Sequence, residues 1–230
     1  MKETIRRYVP EPLLYRWRNF RLRGLPPHYR VAAPNSLVTL LNLMFLDNLV
    51  SRVDRAGVPG DLVECGVYRG GSAAALGATM MQQPESGRTL WLFDAFQGMP
   101  KAGPRDDALS HEIAGQYVGS EWMTRRVLAR VGVPESRYKL VTGWFEETLP
   151  GPGPDSVALL HVDCDFYDPV RLVLETYYPR ISPGGFVVLN DYGAFEGCRA
   201  ATDEYLERIG ASEKPTMIDL AAAFLQKPSP

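Results

Sequence analysis

The chain of 230 residues holds only three histidines and three cysteines. Cys65, Cys164 and Cys198 form no Cys-x-x-Cys pair. An odd, sparse set inside apolar stretches points to reduced thiols and a cytoplasmic protein. Large charge of either sign is missing too: 25 Lys and Arg stand against 27 Asp and Glu, a net of −2. There is thus no overall electrostatic case for a nucleic-acid partner. Long apolar runs are absent. The most apolar early segment, 37–50, is broken by Asn42, Asp47 and Asn48, so no membrane span is expected, and the start Met1-Lys-Glu-Thr-Ile-Arg-Arg reads as no signal peptide. No repeat or low-complexity tract appears. The Gly-x-Gly-x-x-Gly that cradles a dinucleotide pyrophosphate is missing as well.

What is present is an ordinary soluble composition, 45% hydrophobic and 23% charged, long enough for one α/β domain with a substantial core. The charge is uneven. Residues 1–30 carry Lys2, Arg6, Arg7, Arg16, Arg18, Arg21, Arg23 and Arg30 against Glu3 and Glu11. Such an arm could meet a membrane surface, an anionic substrate or a second subunit. Tyr15, Trp17 and Phe20 alternate with the arginines and look like anchors to protein. We therefore expect a basic arm over 1–33, packed on the domain or on the other half of a homodimer. The main domain is expected over 34–230.

Apolar positions at helical spacing (Leu37, Leu40, Leu41, Met44, Phe45, Leu49, Val53) predict a helix over 36–56, started by Pro34-Asn35-Ser36. A strand at 61–65 leads into a glycine-rich turn and a helix at 72–82. Further strands are predicted at 90–94, 138–142, 157–163 and 186–190, with helices at 119–131, 169–180 and 197–209. Ser182-Pro-Gly-Gly185 separates a helix from the fifth strand. A final pair of strands is expected at 216–220 and 222–227. Residues 100–118, rich in Pro, Gly and charge, read as a loop or lid. Apolar strands alternating with helices imply a mostly parallel sheet covered on both faces. Ligands then sit beyond the carboxyl ends of its strands.

Those ends carry the chemistry. The first strand runs into Asp61-Leu-Val-Glu-Cys-Gly-Val-Tyr-Arg-Gly-Gly-Ser72, an acid followed by a glycine turn at Gly66. This spacing suits S-adenosylmethionine better than NAD. The second ends at Asp94, 30 residues after Glu64 and placed to bind ribose hydroxyls; helix capping is its other reading. The third ends in Gly143-Trp144-Phe145, whose rings can lie against a purine or pack in the core. The fourth ends in Asp163-Cys-Asp165 and the fifth in Asn190-Asp191-Tyr192. Asp163, Asn190 and Asp191 form a hard-oxygen set suited to Mg²⁺, or else cap turns and helices. His161 shares the face of Asp163 and is either a buried core histidine or a catalytic one. His111 lies in the lid as a substrate contact or base.

At these residues the sequence resembles the macrocin O-methyltransferase family. The resemblance runs through residues 60–72, Asp94-Ala-Phe-Gln-Gly-Met-Pro100, Gly143-Trp-Phe-Glu-Glu-Thr-Leu-Pro150, His161-Val-Asp-Cys-Asp-Phe-Tyr167, 178–193 and Gly197-Cys-Arg-Ala-Ala200. It implies a Rossmann-like class I methyltransferase with a mostly parallel seven-stranded sheet. Its S-adenosylmethionine site would use Glu64, Gly66, Tyr68, Ser72, Asp94, Phe96, Gly143, Trp144, Asp163 and Asp165. Magnesium would sit on Asp163, Asn190 and Asp191, with Asp163 also the general base and His111 and Tyr192 near a glycoside acceptor. The family usually has Asp-Asp where this chain has Asn190-Asp191. The competing readings are an NAD-linked oxidoreductase and a catalytically silent binding protein of the same fold.

Overall fold

The computed structural model describes residues 24–229. Five strands lie parallel: β1 (Asp61–Cys65), β2 (Leu90–Asp94), β3 (Tyr138–Thr142), β4 (Val157–Val162) and β5 (Ile181–Leu189). Two short strands, β6 (Thr216–Met217) and β7 (Ala223–Gln226), complete the sheet in the order β3-β2-β1-β4-β5-β7-β6. Only β7 runs against its neighbours. The mostly parallel seven-stranded α/β sheet is therefore present.

Alternate residues of the strands feed two cores. Leu62, Leu90, Leu92, Leu159 and Phe186 pack under α2 (Leu40–Arg55), α3 (Gly71–Met80) and α5 (Glu121–Arg130). Val63, Phe93, Leu160, Val162 and Val187 pack under α7 (Tyr167–Tyr177) and α8 (Glu196–Arg208). Period-two alternation in strands apolar on both sides is what a sheet sandwiched between helices requires. The smaller helices are α1 (Tyr29–Ala32), α4 (Ala108–Ile113) and α6 (Phe145–Thr148).

Three boundaries depart from expectation. Helix α2 starts at Leu40, because the Thr39 side chain accepts the Asn42 amide as its cap, while Pro34 and Asn35 belong to a preceding tight turn. Of its predicted apolar stripe, Leu49 and Val53 are buried while Leu37, Leu41 and Met44 are exposed, and Leu43, Leu46 and Val50 complete the buried face. Second, Ser182-Pro-Gly-Gly185 does not precede β5 but lies inside it. Val157 pairs with Ile181 and Leu159 with Phe186, so this run is a bulge, where Pro and Gly are tolerated within a sheet. Third, the presumed loop at 100–118 contains helix α4.

The basic-arm residues 1–23 lie outside the described residues, and the homodimer expectation built on them lies there too. Residues 24–33 pack on the domain: Tyr29 and Ala32 are buried with Leu43, Ala74, Ala75 and Val127. The Tyr29 hydroxyl donates to Asp47 Oδ2 (2.5 Å), and His28 Nε2 lies 2.8 Å from the same atom. Among the described residues no helix is long and apolar enough to cross a membrane.

Candidate active site

The sheet order puts a crevice where the chain leaves β1 toward β2 and later returns to β4 on the other side. One cavity of about 350 Å³ occupies it, at the carboxyl ends of the strands. Its wall at one end carries Gly66, Tyr68, Ser72, Asp94, Gly143 and Trp144. At the other end lie Asp163, Asp165, Asn190 and Asp191, with Phe195 beside them.

The first end is a set of backbone turns tied together by Asp94. Its Oδ2 accepts the amides of Val67 (2.6 Å) and Tyr68 (2.8 Å), and its Oδ1 accepts that of Phe96 (2.6 Å). The carboxylate thus fixes the β1–α3 turn against the end of β2 and leaves one lone pair on Oδ1 unused. Gly66 has φ +96°, and a Cβ there would sit 1.8 Å from the Asp163 carbonyl oxygen. The absent side chain is needed first because the β1 and β4 loops touch at this point. The N-cap of α3, Gly70, is in the left-handed region.

The second end concentrates charge. The Asp191 carboxyl lies close enough to those of Asp163 and Asp165 to feel both charges. Burial pushes Asp163 up to about 7; the charges of Asp165 and Glu64 add to the rise, while His161 and the Asp191 contact oppose it. Burial likewise raises Asp165 to about 6, against its bond to Asp191. Asp191 stands well above the ordinary carboxylate range through burial and the charges of Asp165 and Asp163. Three negative charges cannot share this space without water or a cation, so protons are retained. Asp163 and Asp165 open onto the cavity, and solvent entering there tempers the effect.

Does this floor fit a divalent cation? Asn190 Oδ1 and Asp191 Oδ2 are buried with no hydrogen-bond partner, although Asn190 Nδ2 reaches Asp191 Oδ1 at 3.3 Å. Buried hard oxygens without a partner, among carboxylates that repel one another, are donor chemistry for Mg²⁺, which on binding would displace any retained proton. Among the described residues no three His, Cys, Asp or Glu side chains form a ready cage. The fit rests on two carboxylates and an amide oxygen from adjacent loops.

Four residues assigned from the sequence do not reach the cavity wall. Glu64 is fully buried one layer below, opposite His161 in the β1–β4 register, and its Oε1 lies 2.9 Å from His161 Nδ1. Burial drives that imidazole toward neutrality, but the Glu64 bond and the charges of Asp163 and Glu64 outweigh it and raise its pKa. Phe96, at φ +55°, packs against the core under α3. His111 is on the outer side of α4, since Leu109 and Ile113, four apart, are the residues that face inward. Tyr192 turns onto α8, where its hydroxyl donates to Asp203 (2.7 Å).

The structure also adds wall residues that the sequence reading passed over: Ser36, Leu37, Leu109, Ile113, Tyr117 and Phe195. An apolar pair at helical spacing inside the charge-rich lid was the available signal for two of them.

Fold and site together define an O-methyltransferase with the class I S-adenosylmethionine-dependent architecture. The macrocin O-methyltransferase (TylF) family model matches residues 32–227, and the chain belongs to that family. It is similar to an 8-demethyl-8-(2,3-dimethoxy-α-L-rhamnosyl)-tetracenomycin-C 4'-O-methyltransferase of Streptomyces olivaceus, at 37% identity over 83% of this chain and 76% of the relative. It is also similar to the mycinamicin III 3''-O-methyltransferase of Micromonospora griseorubida, at 32% over 84% and 80%. Among solved structures, the O-methyltransferase NovP superposes with a TM-score of 0.79 at 30% identity, covering 84% of this chain and 82% of that one. Calicheamicin methyltransferase CalS11 shares the fold at a TM-score of 0.67 and 21% identity, covering 95% of this chain and 93% of that one. Family membership removes the ground for an NAD-linked oxidoreductase.

Proposed function

We propose that the protein transfers a methyl group from S-adenosylmethionine to a hydroxyl of a sugar carried by a natural product. The observation that carries this reading is one continuous cavity with backbone turns at one end and hard oxygens at the other. The relatives named for rhamnosyl-tetracenomycin and mycinamicin support the sugar acceptor. In this reading Gly66, Tyr68, Ser72, Gly143 and Trp144 bind the donor. Asp94 takes a ribose hydroxyl on its free Oδ1 lone pair, and the indole of Trp144 covers the base.

Asp163, Asn190 and Asp191 would hold Mg²⁺, whose contribution when bound is to lower the pKa of the acceptor hydroxyl. Asp163 accepts that hydroxyl proton. Its place on the cavity wall, one residue past β4, puts the carboxylate where an acceptor hydroxyl would enter, which suits that task. Trp144 and Gly66 hold the donor while the floor orients the acceptor oxygen in line with the methyl. Such alignment supplies on the order of 7–11 kcal/mol of the barrier. Leu37, Leu109, Ile113 and Tyr117 give the cavity mouth an apolar rim that excludes water and receives the apolar body of the acceptor. Buried, unpaired thiols fit a cytoplasmic setting, and we read the working form as a homodimer.

The test is calorimetry with S-adenosylhomocysteine, with and without Mg²⁺, followed by methyl-transfer assays on a panel of rhamnosides. Donor-product binding together with transfer to at least one glycoside supports the reading. Binding with transfer only to phenols would move the acceptor class. Binding without any transfer would favour a silent protein of the same fold.

A further inference from the structure

The lid is attached to the domain through the starts of two helices. Helices α7 and α8 follow directly on the two loops that carry the acids: Asp163 and Asp165 precede α7, and Asn190 and Asp191 precede α8. Neither helix has a capping side chain of its own, because Phe166 and Phe195 occupy the N-cap positions. The lid supplies the missing acceptors. Asp106 Oδ1 accepts the Tyr167 amide at 2.8 Å, the first of α7, and Asp107 Oδ2 accepts the Glu196 amide at 3.1 Å, the first of α8.

Both carboxylates are bifunctional. The second oxygen of Asp106 accepts Gly103 N (2.8 Å), and Asp107 Oδ1 caps the lid's own helix through Ser110 N (2.9 Å). The fit is close: a Cβ on Gly197 would lie 2.0 Å from Asp106 Oδ1. Glycine in the first turn of α8 therefore makes room for a lid carboxylate between the two helix starts. The rings of Phe166 and Phe195 meet edge to face at 6.2 Å, so the two acid loops are packed against each other beneath this notch. Farther out, Arg105 pairs with Glu204 of α8, and Tyr167 donates to the other Glu204 oxygen at 2.7 Å.

We propose that Asp106 and Asp107 are positioning residues: by capping α7 and α8 from the lid, they set the spacing of the loops bearing Asp163 and Asp191, so that the acid floor is assembled only when the lid is seated. This rests on the methyl-transfer reading for its purpose, not for its geometry. A floor formed only under a seated lid would keep the donor from reacting before the acceptor is enclosed.

The test compares the wild type with Asp106→Ala, Asp107→Ala and the conservative Asp106→Asn in three measurements. Hydrogen exchange is followed at residues 163–167 and 190–197. Binding of Mg²⁺ alone and of S-adenosylhomocysteine alone is followed by calorimetry. The alanine variants are expected to exchange about fivefold or more faster at both segments, as for a lost helix cap. Their Mg²⁺ affinity is expected to fall about tenfold or more, with S-adenosylhomocysteine affinity unchanged. Asp106→Asn should recover part of both losses, since its amide oxygen can still accept Tyr167 N. Wild-type exchange at both segments in the alanine variants would overturn the proposal, as would equal loss of both ligands. Should an alanine variant not fold, Asp106→Asn is read against wild type by the same criteria. A wild type that binds no S-adenosylhomocysteine would sink the methyl-transfer reading, while the exchange comparison would still decide the capping.

Discussion

The two ends of the sheet bury charge in opposite ways. At the amino end, Arg88 is nearly enclosed, yet each of its guanidinium nitrogens is used: Nε donates to Asp54 Oδ1 (2.7 Å), Nη2 to the Val58 carbonyl (2.6 Å), and Nη1 to the Gly60 carbonyl. Its own carbonyl accepts Arg137 Nε (3.0 Å). At the carboxyl end, Asp163, Asp165 and Asp191 face one another, and oxygens of Asn190 and Asp191 have no partner. A buried charge with every bond made is architecture. A buried cluster that repels itself and leaves acceptors free has a cost that the fold does not recover, and a ligand is the natural source of compensation. The contrast separates two kinds of polar residue that look alike in a sequence.

Breaking the carboxyl end should produce the largest effect on activity and little on folding. Asp163→Asn and Asp191→Ala are each expected to lower turnover about 10²–10⁴-fold, the scale of a lost general base. Calorimetric affinity for S-adenosylhomocysteine should stay close to wild type. Full activity of both variants on a glycoside that the wild type methylates would defeat the assignment. Breaking the amino end should do the reverse. Arg88→Ala leaves the Asp54 carboxyl and two carbonyls without donors, and is expected to cost about 3–5 kcal/mol in urea unfolding. At a temperature where that variant is folded, its specific activity should match wild type. A loss of turnover without a loss of stability would erase the distinction between the two ends.

Much of this was legible in the sequence, for identifiable reasons. Continuous apolar strands, glycine turns and helical periodicity state the sheet and its order of elements. Acids placed directly after apolar strands mark the cavity floor, because a parallel sheet sends every strand end to the same side. What the one-dimensional pattern hides is which way a side chain turns after the strand stops. Glu64 still belongs to β1 and points into the core to meet His161, whereas Asp163 is one residue past β4 and reaches the cavity. Tyr192 sits beside Asp191 but folds back onto Asp203. The lid was visible as a loop, and its helix was not, since six residues between Asp107 and Ala114 are too few to show a period. That lid carboxylates cap α7 and α8 is a contact across about 60 and 90 residues of chain, beyond any local signal.

The comparison sharpens with pH. An unfolded aspartate titrates near 3.9, while Asp163 is pushed up to about 7 and Asp165 to about 6 in the folded chain. The folded state therefore holds these protons more tightly. The stability they contribute is complete below about pH 4 and is lost as pH rises through 6 and 7. Solvent in the cavity trims the effect, to about 1–2 kcal/mol, or a fall in Tm of about 2–8 °C. In the absence of metal, Tm should drop between pH 5 and pH 8 in wild type and drop less in Asp163→Asn. Added Mg²⁺ should raise Tm more at pH 8 than at pH 5, because a cation replaces the retained protons. An equal Mg²⁺ effect at both values would show that the ion does not bind at this floor.

The smallest expected effects test whether proximity in sequence was mistaken for proximity in space. His111 and Tyr192 both sit within a few residues of cavity-lining positions. His111 lies on the face of α4 opposite Leu109 and Ile113, and the Tyr192 hydroxyl is engaged with Asp203 while Arg199 stacks over its ring at 5.7 Å. Neither side chain lines the cavity. His111→Ala and Tyr192→Phe are therefore expected to change kcat/KM less than about twofold, a transition-state difference under about 0.5 kcal/mol. Ile113→Ala, on the inner face of the same lid helix, should raise the acceptor KM more than either while leaving donor affinity alone. If His111→Ala instead cost tenfold or more in kcat/KM, the lid helix would have to turn by roughly half a revolution during the reaction. The docking of Asp107 at its start would then have to break in each cycle.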